Sequence, residues 1–164
     1  MATRIGLISD THGLLRTEAA AFLRGCSRII HGGDIGGREI LDELLGIAPL
    51  TVVRGNNDNG DWARAINDTE TLDVQDVRLF AIHDLKGLDF DPRERKIRVV
   101  VSGHSHKPSI EERHGVLFVN PGSAGPRRFK LPIALGELTI DGANVAARIV
   151  DLQAPVAREA SPPR

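Results

Sequence analysis

The sequence is poor in cysteine and aromatic residues, and it contains no long apolar run. Its 164 residues include one cysteine, no tyrosine and a total of six phenylalanine and tryptophan residues. The single cysteine, Cys26, excludes an internal disulfide, and its position after Phe22 and Leu23 predicts a small core residue. Because no run is long enough to cross a bilayer and no leader is visible, we predict a cytoplasmic protein with no membrane partner.

The chain also lacks an excess of either charge. It has 21 lysine and arginine residues against 22 aspartate and glutamate residues. With no basic block and few aromatic residues, the sequence does not predict a nucleic-acid partner. The length fits one domain, predicted over residues 1–152, and the proline-containing tail 153–164 is predicted to be disordered. No pattern predicts the oligomeric state.

The first half of the chain has the β-α-β-α-β pattern of a parallel sheet flanked by helices. Short apolar strands end near Ile8, His31 and Val53. Helical spacing of apolar residues predicts helices over 14–25 and 37–46. The inner face of the second helix is predicted to carry four residues: Ile40, Leu41, Leu44 and Leu45.

The second half predicts strands joined by tight turns, which favours a second, mostly antiparallel sheet. The predicted strands cover 71–74, 77–82, 98–102, 109–113, 116–119, 132–140 and 145–152. Together the two halves predict an α/β fold, a two-sheet β-sandwich of mixed sheets flanked by helices.

Polar side chains cluster at the predicted strand ends, where open sheets place their functional sites. Five of the six histidines lie in or beside these clusters. The clusters are Asp10 with His12, Asp34, Asn56 with Asp58, His83, and His104 with His106.

A donor set of oxygen and imidazole nitrogen without thiolate suits a divalent metal such as manganese, iron or zinc. These donors are too many for one tetrahedral zinc and, at seven ligands without Asp58, fit two metals that share a bridging carboxylate. Two ions about 3.5–4 Å apart form the arrangement that stabilises the attacking and leaving oxygens in phosphate ester hydrolysis.

The order of these motifs resembles that of the calcineurin-like metallophosphoesterases over residues 5–150. The segment Asn120-Pro121-Gly122-Ser123 is also similar to a loop of the small, single-domain prokaryotic phosphodiesterases of that family. The matching motifs are Asp10-Thr11-His12, Gly33-Asp34, Gly55-Asn56-Asn57-Asp58, His83 and Gly103-His104-Ser105-His106.

The resemblance implies a four-layer sandwich that holds two divalent ions, with manganese expected first and nickel, iron or zinc as alternatives. It implies a phosphodiesterase acting on a small-molecule phosphate ester, in which a metal-bridging hydroxide attacks phosphorus. The implied ligands of the first metal are Asp10, His12, Asp34 and His106; those of the second are Asp34, Asn56, His83 and His104. Catalytic roles are expected for Asp34, Asn56, Asp58 and His83.

Two positions depart from the family pattern. Asn57 stands where many members have a histidine that protonates the leaving group, and an amide cannot do this. Asp84 follows His83 where the family usually has glycine; it has three alternative roles, pairing with Lys86, hydrogen bonding to a ligand histidine, or repelling an anionic substrate. Asp58 either orients the site or forms a turn.

Five other polar positions have an alternative structural interpretation. We expect His31 to be a buried core residue and His114 to face solvent in a turn. Arg54 either contacts phosphate or forms a surface ion pair. Arg127 and Arg128 are expected in a solvated loop, although they could clamp a phosphate.

The alternative function is a protein-binding scaffold with little catalysis, since the retromer scaffold subunit also resembles this fold. That function predicts substituted ligand positions and an exposed apolar patch. All seven ligand positions here carry coordinating side chains, which favours an enzyme.

Overall fold

The structure, a computed structural model, describes residues 1–153, so the predicted disordered tail lies outside the described residues apart from Gln153. The described chain forms two five-stranded sheets and two α-helices. The strands are β1 (Thr3–Ile8), β2 (Arg28–His31), β3 (Leu50–Val52), β4 (Thr69–Val74), β5 (Val77–Ile82), β6 (Val99–Val101), β7 (Ser109–Arg113), β8 (Val116–Asn120), β9 (Ala134–Asp141) and β10 (Asn144–Asp151), and the helices are α1 (Thr17–Leu23) and α2 (Arg38–Leu45).

The first sheet has the strand order β10-β9-β1-β2-β3. Strands β1, β2 and β3 are parallel, as predicted, and β9 runs antiparallel to both β1 and β10. The hairpin β9–β10 therefore belongs to the first sheet rather than to the second. Its inner strand suits that position because β9 carries apolar side chains on both faces: Leu138 lies in the core between the sheets and Leu135 in the core beneath the helices.

The second sheet has the order β4-β5-β6-β8-β7. Its three central strands, β5, β6 and β8, are parallel, and only the edge strands β4 and β7 are antiparallel to their neighbours. The prediction of a mostly antiparallel second sheet was wrong. The tight turns at both edges are visible in the sequence, whereas the parallel pairing in the middle joins segments far apart in the chain.

Apolar side chains from both sheets form the central core. The helices cover the outer face of the first sheet, where Ala19 and Leu23 pack against Ile8, Ile29 and Leu135. The outer face of the second sheet is covered by a segment with two short 3₁₀ helices, Leu85–Gly87 and Pro92–Arg95. These layers confirm the predicted α/β sandwich, and Cys26 is buried as predicted.

Both helices differ in detail from their predictions. Helix α1 begins only at Thr17, because Leu14 closes a turn onto the carbonyl of Thr11 and Arg16 is extended. In α2, Ile40 and Leu44 are buried as predicted, but Leu45 is 58% exposed. One residue further along a helix rotates the side chain by about 100°, which turns Leu45 away from the sheet.

The parallel strands bring the predicted functional residues to one edge. Asp10, Asp34 and Asn56 follow the carboxyl ends of β1, β2 and β3. His83 and His104 follow the carboxyl ends of β5 and β6. Within the described part of the chain, no helix has the length and apolar character needed to cross a membrane.

Candidate metal centre

The loops that carry the predicted ligands are joined by hydrogen bonds. The backbone N–H of Asp10 donates to the carbonyl of Gly33 at 2.9 Å, and the N–H of His12 donates to the carbonyl of Asp34 at 3.0 Å. The two sheets are joined here as well, because the N–H of His104 donates to Asp10 Oδ2 at 3.1 Å. Asp10 is therefore held from both sides of the sandwich.

Two glycines allow these loops to approach one another. A Cβ at Gly55 would lie 2.1 Å from the backbone nitrogen of Asp34, and a Cβ at Gly103 would lie 2.1 Å from the hydroxyl oxygen of Ser9. Any side chain at either position would push the ligand loops apart. The glycines of the Gly-Asn and Gly-His motifs are therefore required by close packing of the loops in this fold.

The first predicted ligand group is compact and mostly buried. His106 Nε2 lies 3.4 Å from Asp10 Oδ1 and 3.4 Å from His12 Nε2. His12 Nε2 in turn lies 3.7 Å from Asp34 Oδ2. All four side chains predicted for the first metal therefore direct a donor atom to one small volume.

The second group lies on the other side of Asp34. His83 Nε2 is 3.4 Å from Asp34 Oδ2 and 3.0 Å from Asn56 Oδ1. His104 Nδ1 is 3.1 Å from the same Asn56 oxygen. Asp34 Oδ2 therefore faces a histidine of each group, which is the position required of a bridging carboxylate oxygen.

These distances fit metal coordination. A metal bonded to several donors at about 2.1 Å separates neighbouring donors by about 3.0–3.5 Å, and the closest donor pairs have this spacing. In addition, among the described residues, Asp10 Oδ1 and His106 Nδ1 are buried without a hydrogen-bond partner. A buried carboxylate oxygen without a donor, facing two imidazole nitrogens, is a favourable position for a cation.

The backbone is strained at the predicted ligands. Nine described non-glycine residues have φ in the left-handed region, and five of them are predicted ligands: Asp10, His12, Asp34, His104 and His106. This conformation costs free energy for a residue with a Cβ and is characteristic of functional sites. The residue types alone do not predict this strain.

The environment of His83 determines which ring nitrogen is available. Its Nδ1 donates to the carbonyl of Gly32 at 2.7 Å, which leaves Nε2 directed at Asp34 and Asn56. Burial disfavours the charged imidazolium, but the hydrogen bonds to Asp34 and Gly32 outweigh burial and raise the pKa of His83.

Asn57 contacts the predicted bridging carboxylate directly. Its backbone N–H donates to Asp34 Oδ1 at 2.8 Å, and its side-chain amide donates to Asp34 Oδ2 at 3.0 Å. Burial disfavours the ionised form of Asp34, but the hydrogen bonds from His83 and Asn57 outweigh it and hold the pKa of that carboxyl well below its ordinary value. The sequence reveals only the missing imidazole at Asn57, not this contact.

Asp58 connects two of the loops through bonds to backbone N–H groups, and within residues 1–153 it forms no hydrogen bond to a histidine. Its Oδ1 accepts the N–H groups of Ile35 and Gly36 at 2.8 and 3.2 Å, and its Oδ2 accepts the N–H of Gly55 at 2.8 Å. The carboxylate thus fastens the Asp34 loop to the Asn56 loop. Its predicted catalytic role would be indirect, through the position of these loops.

Asp84 lies beside His104. Its Oδ1 accepts the backbone N–H of Lys86 at 3.0 Å, and its Oδ2 lies 3.7 Å from His104 Nε2. Asp84 therefore bonds to the backbone of Lys86 rather than to its side chain, and its distance from His104 is longer than a hydrogen bond.

The remaining polar positions follow their structural interpretations. His31 is fully buried. Its Nε2 hydrogen-bonds to Thr11 Oγ1 and its Nδ1 accepts the N–H of Gly33, both at 3.0 Å. Arg54 pairs with Asp68 at 2.9 Å. His114, Arg127 and Arg128 are exposed.

Known proteins resemble this chain in sequence and in fold. A probable metallophosphoesterase of Methanothermobacter thermautotrophicus is 33% identical over 94% of this chain and 95% of its own length. A solved archaeal phosphodiesterase has a TM-score of 0.75 at 23% identity, covering 90% of this chain and 100% of the other. The Zn²⁺ complex of wild-type Vps29 from Entamoeba histolytica has a TM-score of 0.71 at 21% identity, covering 92% and 99%.

The match to a family is more specific than these structural similarities, which show the fold alone. The sequence model for the calcineurin-like phosphoesterase superfamily domain matches residues 3–142. This range contains both ligand groups and every loop that joins them. The chain belongs to the calcineurin-like phosphoesterase superfamily.

Proposed function

We propose that this protein is a phosphodiesterase that depends on two divalent metal ions. The observation that carries the proposal is the position of Asp34 Oδ2, which lies 3.7 Å from His12 Nε2 in one ligand group and 3.4 Å from His83 Nε2 in the other. One carboxylate oxygen shared by two sets of donors is the arrangement expected of a dinuclear centre.

Each group has a defined part in this proposal. The first ion would be held by Asp10, His12, His106 and Asp34, and the second by Asn56, His83, His104 and Asp34. Such ions activate water at neutral pH and stabilise the charge on the phosphoryl oxygens. The protein positions the donors: Gly32 orients His83, Asn57 orients Asp34, and Asp58 fastens their loops. The donors suit manganese first, with nickel, iron or zinc as alternatives.

Asn57 disfavours esters with a poor leaving group, and the choice of a diester rests on similarity. Its amide cannot protonate a leaving oxygen, and it is occupied with Asp34. The similar archaeal protein carries the name phosphodiesterase, which supports the same substrate class. We therefore infer that the substrate is a small-molecule phosphodiester. Its leaving group would depart without receiving a proton from residue 57.

The test is hydrolysis of bis(4-nitrophenyl) phosphate by metal-stripped protein that is then supplied with manganese, nickel, zinc or magnesium. We expect metal to restore turnover, and we expect Asp34→Asn to abolish it. His114→Ala is the matched control because His114 is an exposed turn histidine outside both ligand groups. Wild-type protein that binds metal but hydrolyses no ester would contradict the proposal.

The similarity to Vps29 is consistent with the alternative function, a metal-binding scaffold for another protein. The large exposed apolar residues of the described chain, however, lie on separate segments: Met1 before β1, Leu14 in the loop after β1, Leu45 in α2, Ile110 in β7 and Phe129 in the loop before β9. Metal binding without turnover in the same experiment would favour the scaffold.

A further inference from the structure

Two grooves adjoin the proposed second metal position. The larger, here called the Arg54 groove, has a volume of about 610 Å³ and is lined by Arg54, Asn59 and Thr69 as well as by the ligands Asn56 and His83. The smaller, the Phe118 groove, has a volume of about 350 Å³ and is lined by Ser105, Ser109 and Phe118 as well as by the ligand His104. Each groove thus borders a ligand of the same group.

A ridge separates the two grooves. Asp84 lines both of them, and the 3₁₀ helix Leu85–Gly87 that follows contributes Gly87 to the Arg54 groove and Lys86 to the Phe118 groove. The side chain of Asp84 holds the start of this helix by accepting the N–H of Lys86. A molecule bound at the ligand group therefore has two separate directions in which to extend.

Neither groove has a surplus of positive charge. In the Arg54 groove, Arg54 pairs with Asp68, and Asp84 adds a further carboxylate. In the Phe118 groove, the cations Lys86 and Arg113 are matched by the carboxylates of Asp84 and Glu111. Arg113 pairs with Glu111 at 2.8 Å and lies over the ring of Phe118. An additional phosphate in either groove would meet at least as many carboxylates as cations, and both lining guanidinium groups are already paired, so neither is free to bind it bidentately.

We propose that the substrate is a phosphodiester with two uncharged substituents, one in each groove. This inference rests on the proposed function, because it places the phosphodiester group at the proposed metal centre. A phosphate monoester has one substituent and fills one groove only. A strand of nucleic acid would bring extra phosphates next to Asp68 or Asp84, so it is a poor fit to the same surfaces.

The test blocks each groove separately with a large side chain. Thr69→Trp narrows the Arg54 groove, and Ser109→Trp narrows the Phe118 groove. The controls are Thr71→Trp and Ile110→Trp, which alter exposed positions on the same two strands outside the described lining of either groove. The substrates are bis(4-nitrophenyl) phosphate and 4-nitrophenyl phosphate, with manganese supplied.

For the diester, we expect both groove variants to lower kcat/KM by about 10-fold or more, the size of effect that altered pocket contacts produce. For the monoester, we expect only one of the two variants to have this effect. Diester kcat/KM unchanged by either groove variant, or equal effects of both variants on both esters, would overturn the inference. A dinucleoside monophosphate should also be hydrolysed faster than the same compound carrying a terminal phosphate. The reverse order would overturn the proposal that both substituents of the substrate are uncharged.

Calorimetric binding of the diester to the metal-loaded protein separates this inference from the proposed function. If each groove variant weakens binding of the diester but the protein shows no turnover, the result would support the inference about the two grooves. It would contradict the proposed phosphodiesterase activity. If the protein hydrolyses the diester and neither groove variant changes the rate, the result would support the proposed phosphodiesterase activity and contradict the inference about the grooves. No binding of the diester would contradict both.

Discussion

The two ligand groups share Asp34 but differ in their exposure to solvent. In the first group, Asp10 is fully buried and His106 is 3% exposed. In the second, Asn56 is exposed and the side chain of His104 is 44% exposed. The contrast does not extend to every member, because the side chain of His12 in the first group is 25% exposed and His83 in the second is 5% exposed. The first group nevertheless contains a fully buried carboxylate, where an unneutralised charge is costly, whereas the second opens onto both grooves. This difference predicts a tightly held first ion and a second ion that is more accessible to substrate.

Asp34→Asn should have the largest effect, because it alters the one side chain that both groups share. We expect turnover to fall by well over about 100-fold, beyond the loss that follows removal of a residue that only orients a ligand. Steady-state hydrolysis with manganese measures the turnover, and calorimetry measures the ions bound. Retention of two ions and of near-normal turnover would show that Asp34 is not shared.

His106→Ala and His104→Ala test the difference between the groups. We expect His106→Ala to remove the tighter of two binding events and to lower the melting temperature of the metal-loaded protein. His104→Ala should weaken the second event and leave the first unchanged. Calorimetric titration with manganese distinguishes these outcomes, and identical titration curves for the two variants would contradict the assignment of the two groups.

Asp58→Ala should disturb both groups through their loops. It leaves three N–H groups, those of Ile35, Gly36 and Gly55, without their acceptor. We expect the free energy of unfolding to fall by about 1–3 kcal/mol and metal affinity to fall by about 10–100-fold. Denaturant unfolding of the metal-free variant gives the first value and metal titration the second. Asp61→Ala, at an exposed carboxylate, is the control and should change neither.

Asn57→Ala should have a smaller effect, because the backbone N–H of residue 57 still donates to Asp34 Oδ1. Loss of the amide bond to Oδ2 should reduce turnover by about 10-fold, the lower end of the range for residues that orient a ligand. Asn144→Ala provides the matched control at an exposed asparagine outside both ligand groups and both grooves. Equal turnover in the two variants would show that the Asn57 amide does not orient Asp34.

The last expected effect concerns stability rather than turnover, and it depends on pH and on the interior beneath the first group. Burial lowers the pKa of His31 to about 4. Between about pH 4 and the ordinary value near 6.5, the unfolded chain binds a proton at His31 that the folded protein does not. Stability should therefore decrease as pH falls through this range, by up to about 1.4 kcal/mol per pH unit.

His31→Gln tests this dependence by removing the titrating group. The free energy of unfolding of the metal-free variant, measured across this pH range, should have a smaller slope than that of the wild type. Parallel slopes would show that His31 does not contribute to the pH dependence of stability.

Much of the site was accessible from the sequence because its residues follow strand ends in a regular order. Apolar strands and the polar residues after them are local patterns, and parallel pairing brings those ends to one edge. The position of β9 was not accessible in this way, because pairing with β1 depends on a partner more than a hundred residues away. The contact of Asn57 with Asp34 and the left-handed backbone at five predicted ligands arise from loops that constrain one another.

Metal stoichiometry measured together with turnover tests the central claim most directly. Metal-stripped protein would be titrated with manganese while hydrolysis of bis(4-nitrophenyl) phosphate is followed in the same samples. If both ligand groups form one catalytic centre, turnover should stay low at one equivalent of bound metal and rise as the second binds. Turnover that reaches its maximum at one equivalent, or that is absent at two, would contradict this account.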